Sequence, residues 1–284
     1  MRSSRKPLLL LLPLALVLAS GCGRLQARIE LKEGNRLYEA EDYKKALDQF
    51  QKGLQLDPGF KPAWRSVGLS AMALYRPGDK SAENLKFATT AIDAFEKYLA
   101  AFPKDEKVRE YLLTTLLNTE RYDEALARLT SILREKPGDP DATKAYATIL
   151  MKAGRLTESL QYIRRQPKPD AELFHGIAAI CWDKAYRDPK LTPEQRAEAV
   201  AMGLAAEADA LKIKPDYFEA NVYYGLLLRV KANMEPDLEK AALIVEEAKV
   251  YQEKAKAIRQ AQLEKEKKER EAAEKAAAQA PAAR

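Results

Sequence analysis

Apolar residues recur three and four positions apart along most of this chain, and the pattern repeats at intervals of about thirty-four residues. Such spacing places the apolar side chains on one face of a helix. Proline closes most of the intervals, where a helix has to end. No segment shows the period of two that is typical of β-strands. The pattern therefore predicts an all-α chain of short, paired helices.

The unit between Gly34 and Pro58 shows this pattern most clearly. Gly34 and Ala46 are small residues where two helices cross closely, and Tyr43 and Phe50 fill the space between the helices. Pro58 ends the second helix. These positions resemble the tetratricopeptide repeat, in which helix pairs stack to bury a continuous core. Proteins of this family are binding scaffolds, so the resemblance implies a partner rather than a reaction.

The resemblance extends over roughly residues 27–252 and implies a right-handed superhelical solenoid of about six helix pairs. The fifth unit carries a long insert. Within it, Thr192 is expected to cap a helix whose first position is Pro193, with Gln195 three residues after the cap. The alternative fold is an ordinary helical bundle, which a fixed period of matched small and aromatic residues disfavours.

The C-terminal segment differs in composition from the repeats. An apolar stripe from Leu238 to Ile258 predicts that the last repeat helix continues as a long capping helix. No large apolar residue follows Leu263. Residues 253–284 are therefore expected to form a charged, solvated helix that ends in disorder. Alternative roles for this tail are a coiled-coil or peptidoglycan-contacting arm, or a spacer.

The N-terminus has the organisation of an export signal. Three cations, Arg2, Arg5 and Lys6, precede an apolar run over residues 7–19 that is too short to span a bilayer. Residues 1–21 are therefore expected to be a signal peptide, followed by a linker over residues 22–26. The alternatives are a plain signal peptide cut nearby and an uncleaved anchor.

The residues before Cys22, Leu-Ala-Ser-Gly, resemble the bacterial lipobox. The resemblance implies that the thiol of Cys22 carries an acyl lipid such as palmitate and that the chain is cut before it. Gly23 differs from the Asp that often retains such proteins at the inner membrane. We therefore expect a periplasmic protein anchored to the outer membrane.

The formal net charge of +6 lies at the two ends of the chain. The signal contains three cations, and the segment from Glu253 to Arg284 contains nine Lys or Arg against six Glu. The repeat body is consequently close to neutral. A nucleic-acid groove needs clustered cations facing phosphates, so this partner is not expected.

Candidate chemistry is sparse. His175 and Cys181 could form a base and nucleophile, but six residues of helix separate them by about 120° around the axis. Packing is the favoured role for both. A small-ligand-binding or enzymatic role centred on the fifth repeat, with Trp182 nearby, is the alternative. Metal-ligand spacings and phosphate-binding glycine loops are absent from the sequence, so no cofactor and no metal are expected.

In the resembled family, residues at fixed offsets from the small first-helix residue line a concave groove. Asn35 fits one position of a carboxylate clamp, but Leu31 and Leu69 replace its partners, so a clamp is not expected. The row is mostly apolar, which suits an amphipathic helix or an extended segment of a partner protein. The alternative is that the fifth-repeat insert covers part of it. The predicted groove residues are Asn35, Tyr38, Arg65, Leu69, Met72, Leu117, Lys144, Met151, Ile177, Ile180, Leu226 and Arg229.

These expectations combine into one function. The resemblance implies a non-enzymatic, lipid-anchored scaffold that mediates protein–protein interaction in the bacterial envelope. Assembly or stability of an outer-membrane complex is the specific role expected.

Overall fold

The structure, a computed structural model, describes the backbone of residues 11–279 and the side chains of residues 23–274. Most of the predicted signal peptide and the predicted lipidated side chain of Cys22 lie outside these described parts. Within residues 11–279 the chain forms twelve α-helices and no strand, so the all-α prediction is confirmed. Twelve helices are also the number that six helix pairs require.

The helices follow one another with short connections. They are α1 (Leu11–Glu39), α2 (Tyr43–Leu56), α3 (Ala63–Leu74), α4 (Ala82–Ala101), α5 (Glu106–Asn118), α6 (Tyr122–Glu135), α7 (Pro140–Lys152), α8 (Leu156–Arg164), α9 (Ala171–Arg187), α10 (Pro193–Ile213), α11 (Phe218–Met234) and α12 (Leu238–Gln279). The chain divides into two compact units, residues 1–128 and 129–284, and α6 crosses the division.

In the first unit, glycines allow close helix crossings at the predicted positions. A Cβ added to Gly34 would lie 2.7 Å from the ring of Phe50. The same addition at Gly53 would lie 2.7 Å from Leu31. Gly34 and Leu31 of α1 thus face Phe50 and Gly53 of α2 in reverse order, which makes α1 and α2 an antiparallel hairpin. The predicted roles of Gly34 and Phe50 are confirmed.

The connection between α3 and α4, residues 75–81, is held by a buried side chain. Asn84 of α4 is 2% exposed. Its amide nitrogen donates to the carbonyl oxygens of Arg76 at 2.8 Å and Asp79 at 2.7 Å, and its carbonyl oxygen accepts from the backbone N–H of Arg76 at 2.8 Å. These bonds replace the backbone partners that a tight loop loses.

In the second unit, α9, α10 and α11 share a core. Its fully buried residues include Ile177, Ala178 and Cys181 from α9 and Leu227 from α11. A Cβ added to Gly203 of α10 would lie 2.9 Å from Leu227. The glycine therefore lets α10 approach both neighbours.

The extra residues of the fifth repeat lengthen its helices instead of forming a long loop. Only residues 188–192 connect α9 to α10. Thr192 caps α10, Pro193 occupies its first turn, and the side chain of Gln195 accepts from the backbone N–H of Thr192 at 3.0 Å. The predicted capping motif is confirmed. The Arg196 guanidinium donates to the carbonyl oxygens of Ala185 and Asp188, which fixes the connection at the end of α9.

The last helix, α12, has 42 residues. Ala248 and Ala255 are its buried residues nearest the end of the packed region, and the described side chains from Glu264 onward are exposed. The last repeat helix therefore continues beyond its pair as a solvated helix, as the composition predicts.

Candidate partner-binding surfaces

The position of the small residue in α9 differs from the sequence prediction. The predicted groove residues Ile177 and Ile180 imply that Gly176 is the small residue at the helix crossing, but a Cβ added there would meet only the Met151 thioether, at 3.5 Å. Ala178 is fully buried, as is Ala147 of α7. Cys181, three residues after Ala178, is also buried, as is Leu150, three residues after Ala147. Ala178 therefore occupies the crossing, and the predicted register of α9 is wrong by two residues.

This shift changes which residues of α9 line the groove. In α1, α3, α7 and α11 the predicted groove residues stand three before, one after or four after the small residue. Counted from Ala178, these positions are His175, Ala179 and Trp182. Ile177, a predicted groove residue, is 0% exposed and belongs to the core. Ile180 is 39% exposed but lies outside the corrected positions.

Five aromatic rings form a continuous row on α9 and the start of α11, here called the aromatic row. Ring centroids are 5.3 Å apart for Tyr217 and His175, 5.0 Å for His175 and Tyr223, and 5.4 Å for Tyr223 and Trp182. Trp182 then stacks on Tyr186 at 5.2 Å. Three contacts are edge-to-face and the last is parallel, both favourable geometries. Tyr186 is 64% exposed, so the row ends in solvent.

The polar atoms of the aromatic row are available to a ligand. Within the described residues, the indole N–H of Trp182 and the hydroxyls of Tyr217 and Tyr223 have no hydrogen-bond partner and are not buried. Burial raises the pKa of Tyr217 to about 12, and the carboxylates of Glu219 and Glu172 add to the rise. The Tyr217 hydroxyl therefore stays protonated near neutral pH.

The imidazole of His175 is held in place by the buried carboxylate of Glu207. Its Nδ1 lies 2.8 Å from Oε1 of Glu207, whose side chain is 0% exposed, while that of His175 is 16% exposed. Oε2 of Glu207 is buried without a hydrogen-bond partner. Burial raises the pKa of Glu207, and the hydrogen bond and charge of His175 oppose that rise. The pair fixes the orientation of the imidazole within the row.

Cys181 does not take part in this site. The thiol is buried at 1% exposure and faces Gly203 of α10, where an added Cβ would lie 3.1 Å from the Cys181 Cβ. Burial raises the pKa of this thiol to about 11. A nucleophilic cysteine needs a lowered pKa. The packing role expected for Cys181 fits this environment, whereas His175 has a partner in Glu207 that the sequence did not reveal.

A second surface is an open groove of about 680 Å³ between α11 and α12, here called the α11–α12 groove. Gly225 and Ala248 let the helices approach, since a Cβ on Gly225 would lie 3.3 Å from the Ala248 carbonyl oxygen. The described lining of the groove consists of Phe218, Val222, Gly225, Leu226 and Arg229 from α11 and Ala248, Gln252, Ala255, Lys256, Arg259, Gln260 and Leu263 from α12. Two predicted groove residues, Leu226 and Arg229, thus lie in one cavity.

Cations surround the apolar floor of the α11–α12 groove. Arg229, Lys256 and Arg259 are exposed, and the described lining includes no Asp or Glu. The Arg229 guanidinium donates to the neutral Gln252 at 2.7 Å. The groove therefore combines apolar contact area with positive charge at its edge.

The remaining predicted groove residues are all at least partly accessible. Asn35 and Arg65 are exposed, and Tyr38, Leu69, Met72 and Leu117 are half-buried in the first unit. In the second unit Lys144 is exposed and forms ion pairs with Glu172 at 3.1 Å and Asp170 at 3.6 Å. Met151 is half-buried and packs against the core that contains α9. Their role in binding stays a prediction.

Sequence reasoning named His175 and Trp182 only for the alternative role of the fifth repeat, and it missed Tyr186, Tyr217 and Tyr223 as members of the aromatic row. His175, Trp182 and Tyr186 are spaced seven and four residues apart, which places them on one helical face and could have indicated the row. Tyr217 and Tyr223 join it from α11 through tertiary packing, which no local spacing encodes.

Two features are absent from the described residues. No group of three or more His, Cys, Asp or Glu side chains is arranged to hold a metal ion. No helix in residues 11–279 combines the length and apolar character needed to cross a membrane.

Comparison with known proteins identifies the repeats. A sequence model described as tetratricopeptide repeat matches residues 116–179, from the end of α5 into α9. Residues 116–179 therefore consist of tetratricopeptide repeats. This family comprises protein-binding scaffolds, which agrees with the helix pairs described above. Comparison with curated proteins found no match.

Solved structures with repeats of this kind are distant from the chain. YrrB, described as a TPR protein with an unusual peptide-binding site, is 22% identical over 67% of this chain and 88% of its own, with a TM-score of 0.37. A TPR protein of Bacteroides fragilis is 15% identical over 72% of this chain and 98% of its own, with a TM-score of 0.43. The C-terminal part of a TPR protein from Cytophaga hutchinsonii is 13% identical over 80% and 78%, with a TM-score of 0.44.

Proposed function

We propose that this protein is a non-enzymatic, lipid-anchored scaffold of the bacterial envelope that binds a segment of a partner protein. The aromatic row is the observation that carries the proposal. Two of its members, His175 and Trp182, occupy groove positions of the fifth repeat, the positions through which the resembled family binds its partners.

The chemistry of the aromatic row suits an extended protein segment. Its ring faces offer apolar contact area, and the free N–H of Trp182 and hydroxyls of Tyr217 and Tyr223 can donate to backbone carbonyls. Aromatic residues of this kind dominate the binding energy of many interfaces. The buried Glu207 holds His175 in place, so little side-chain freedom is lost on binding.

The envelope part of the proposal is supported by the N-terminal sequence alone. The cationic start, the apolar run over residues 7–19 and the small residues before Cys22 match an exported lipoprotein. Attachment to the outer membrane and a role in the assembly or stability of an outer-membrane complex belong to this proposal.

An enzymatic role for the fifth repeat gains no support from the site. Cys181 is buried beside Gly203, and burial raises the pKa of its thiol. Ligand binding at the fifth repeat remains in the proposal, with a protein segment as the ligand.

The binding proposal can be tested by photo-crosslinking in producing cells. A photoreactive residue at Ala179, between His175 and Trp182, should capture one dominant envelope protein, whereas one at Glu198, exposed on α10, should not. The captured protein is then purified and titrated against the wild-type chain. Trp182→Ala combined with Tyr186→Ala should weaken binding by about 2 kcal/mol or more.

Leu243→Ala is the matched control, because Leu243 is 71% exposed on α12 and lies outside the aromatic row. Equal loss of affinity in both variants, or capture only at Glu198, would reject the aromatic row as the binding surface. The anchor is tested separately with Cys22→Ser, which should abolish metabolic labelling with a palmitate analogue and release the protein from the membrane fraction.

A further inference from the structure

The α11–α12 groove lies on the face of the sixth repeat that corresponds to the face of the fifth repeat against which α11 packs. Its residues Val222, Leu226 and Arg229 stand at the same offsets from Gly225 as His175, Ala179 and Trp182 do from Ala178. In the fifth repeat, His175 and Trp182 contact Tyr223 of α11. The counterpart positions in the sixth repeat line an open groove instead.

The neighbour of the fifth repeat on this face is a helix, which leaves the aromatic row partly exposed. α11 packs against both α9 and α10, and its Leu227 lies against Gly203 of α10. The α11–α12 groove also allows close approach of a helix, because Gly225, Ala248 and Ala255 in its lining are small. An amphipathic helix laid in a groove presents apolar anchors at intervals of three and four residues. Val222, Leu226 and Leu263 offer the apolar surface that such anchors need.

The charged residues at the groove edge favour a helix that carries negative charge. Arg229, Lys256 and Arg259 line its edge, with no carboxylate in the described lining. Lys256 pairs with Glu253 at 2.7 Å and Arg259 with Glu266 at 4.0 Å, but both are exposed pairs of small energy. Three cations against two carboxylates leave an excess of positive charge at the groove edge, which would attract carboxylates on an incoming helix.

The first helix of a second copy of this chain is a poor match for the groove. The exposed apolar residues of α1 that could enter it are Leu25 and Ile29. Exposed Arg24, Arg28 and Lys32 surround them, and these cations would meet the cations of the groove edge.

We propose that the α11–α12 groove binds an amphipathic helix of another protein, one whose apolar stripe is flanked by Asp or Glu. This interaction uses residues separate from the aromatic row, so its failure would leave the proposed function intact. The two surfaces could hold different segments of one partner or two different partners.

Two synthetic helical peptides test the proposal against the full-length chain purified in detergent micelles. Both have about five turns and the same leucine stripe, and they differ only in flanking residues, glutamates in one and lysines in the other. Fluorescence anisotropy should show the glutamate peptide binding roughly tenfold or more tightly at about 0.1 M salt. The preference should shrink as salt rises toward about 1 M.

Variants assign the binding to the groove. A triple variant should remove most of the preference for the glutamate peptide without disturbing the apolar core. It combines Arg229→Gln, Lys256→Gln and Arg259→Gln. Lys231→Gln, an exposed cation outside the groove lining, is the matched control and should leave the preference unchanged. Leu226→Asp should weaken both peptides, and circular dichroism checks that this variant remains helical.

Three outcomes would overturn the proposal. The first is equal affinity for the two peptides or binding of neither. The second is a glutamate preference that survives the triple neutralisation. The third is self-association of the wild-type chain in light scattering that Leu226→Asp abolishes, which would make a second copy the occupant.

Discussion

At the scale of single residues, the buried pair of Glu207 and His175 is the most unusual feature. A carboxyl with one oxygen bonded to an imidazole and the other unpartnered is costly to ionise inside a core. The pair nevertheless places the polar imidazole of His175 between the rings of Tyr217 and Tyr223. An apolar residue at position 175 would remove this polar group from the aromatic row.

The raised pKa of Glu207 makes a prediction about stability and pH. Between the ordinary carboxyl pKa and the raised one, the folded chain holds a proton that the unfolded chain has lost. The free energy of unfolding should therefore fall as pH rises through this window. Glu207→Gln removes the group, so the difference in Tm between wild type and variant should change with pH there. A constant difference across the window would contradict a raised pKa for Glu207.

Cys181 provides a second prediction at this scale. With a pKa of about 11, the thiol is almost fully protonated at pH 8, and the surrounding core excludes reagents. Alkylation by iodoacetamide should be at least roughly two orders of magnitude slower in the folded chain than in denaturant. Mass spectrometry of the Cys181 peptide measures both rates. Rapid alkylation of the folded protein would revive the catalytic alternative for the fifth repeat.

At the scale of helices, periodicity predicted most of the fold correctly. The crossing of Gly34 with Phe50 and the cap at Thr192 are encoded by residues close in sequence, so both could be predicted. The register of α9 could not, because Gly176 and Ala178 are both small and only tertiary packing distinguishes them. Glu207 gave no signal either, since a lone Glu in a helix ordinarily faces solvent.

Two glycine substitutions test the packing of the first helices. Gly68 faces the buried ring of Phe95, so Gly68→Ala forces a clash and should lower the free energy of unfolding by about 1–3 kcal/mol. Gly176→Ala places its methyl 3.5 Å from Met151, in ordinary contact, and should raise stability by about 0.5–1 kcal/mol through helix propensity. Urea unfolding measures both. Equal effects would contradict the corrected register of α9.

At the scale of the whole chain, the repeats and the charged tail have different tasks. The body of the protein is nearly neutral, and the candidate binding surfaces of its second unit lie on α9, α11 and α12. The proposed binding function rests in part on the match of residues 116–179 to a family of protein-binding repeats. The identity of the partner is not encoded in repeat periodicity, because groove residues vary independently of the residues that make helices stack.

Truncation of α12 should distinguish the part that packs on α11 from the exposed charged tail. A chain ending at Leu263 keeps Ala248, Ala255 and the groove lining, and it loses only exposed described side chains. Its Tm should match that of the full chain within about 2 °C. A chain ending at Glu247 loses the α12 residues that cover α11 and should unfold at a clearly lower temperature. A large loss of stability on the shorter deletion would show that the tail packs on the body.

The stack of Trp182 on Tyr186 also has a spectroscopic consequence. The sequence contains only two tryptophans, and the other, Trp64, lies in α3 beneath the ammonium of Lys97. In a Trp64→Phe background, the emission of the protein comes from the aromatic row alone. A segment that settles on that row changes the polarity around the indole, so its wavelength of emission becomes an intrinsic, label-free indicator of occupancy.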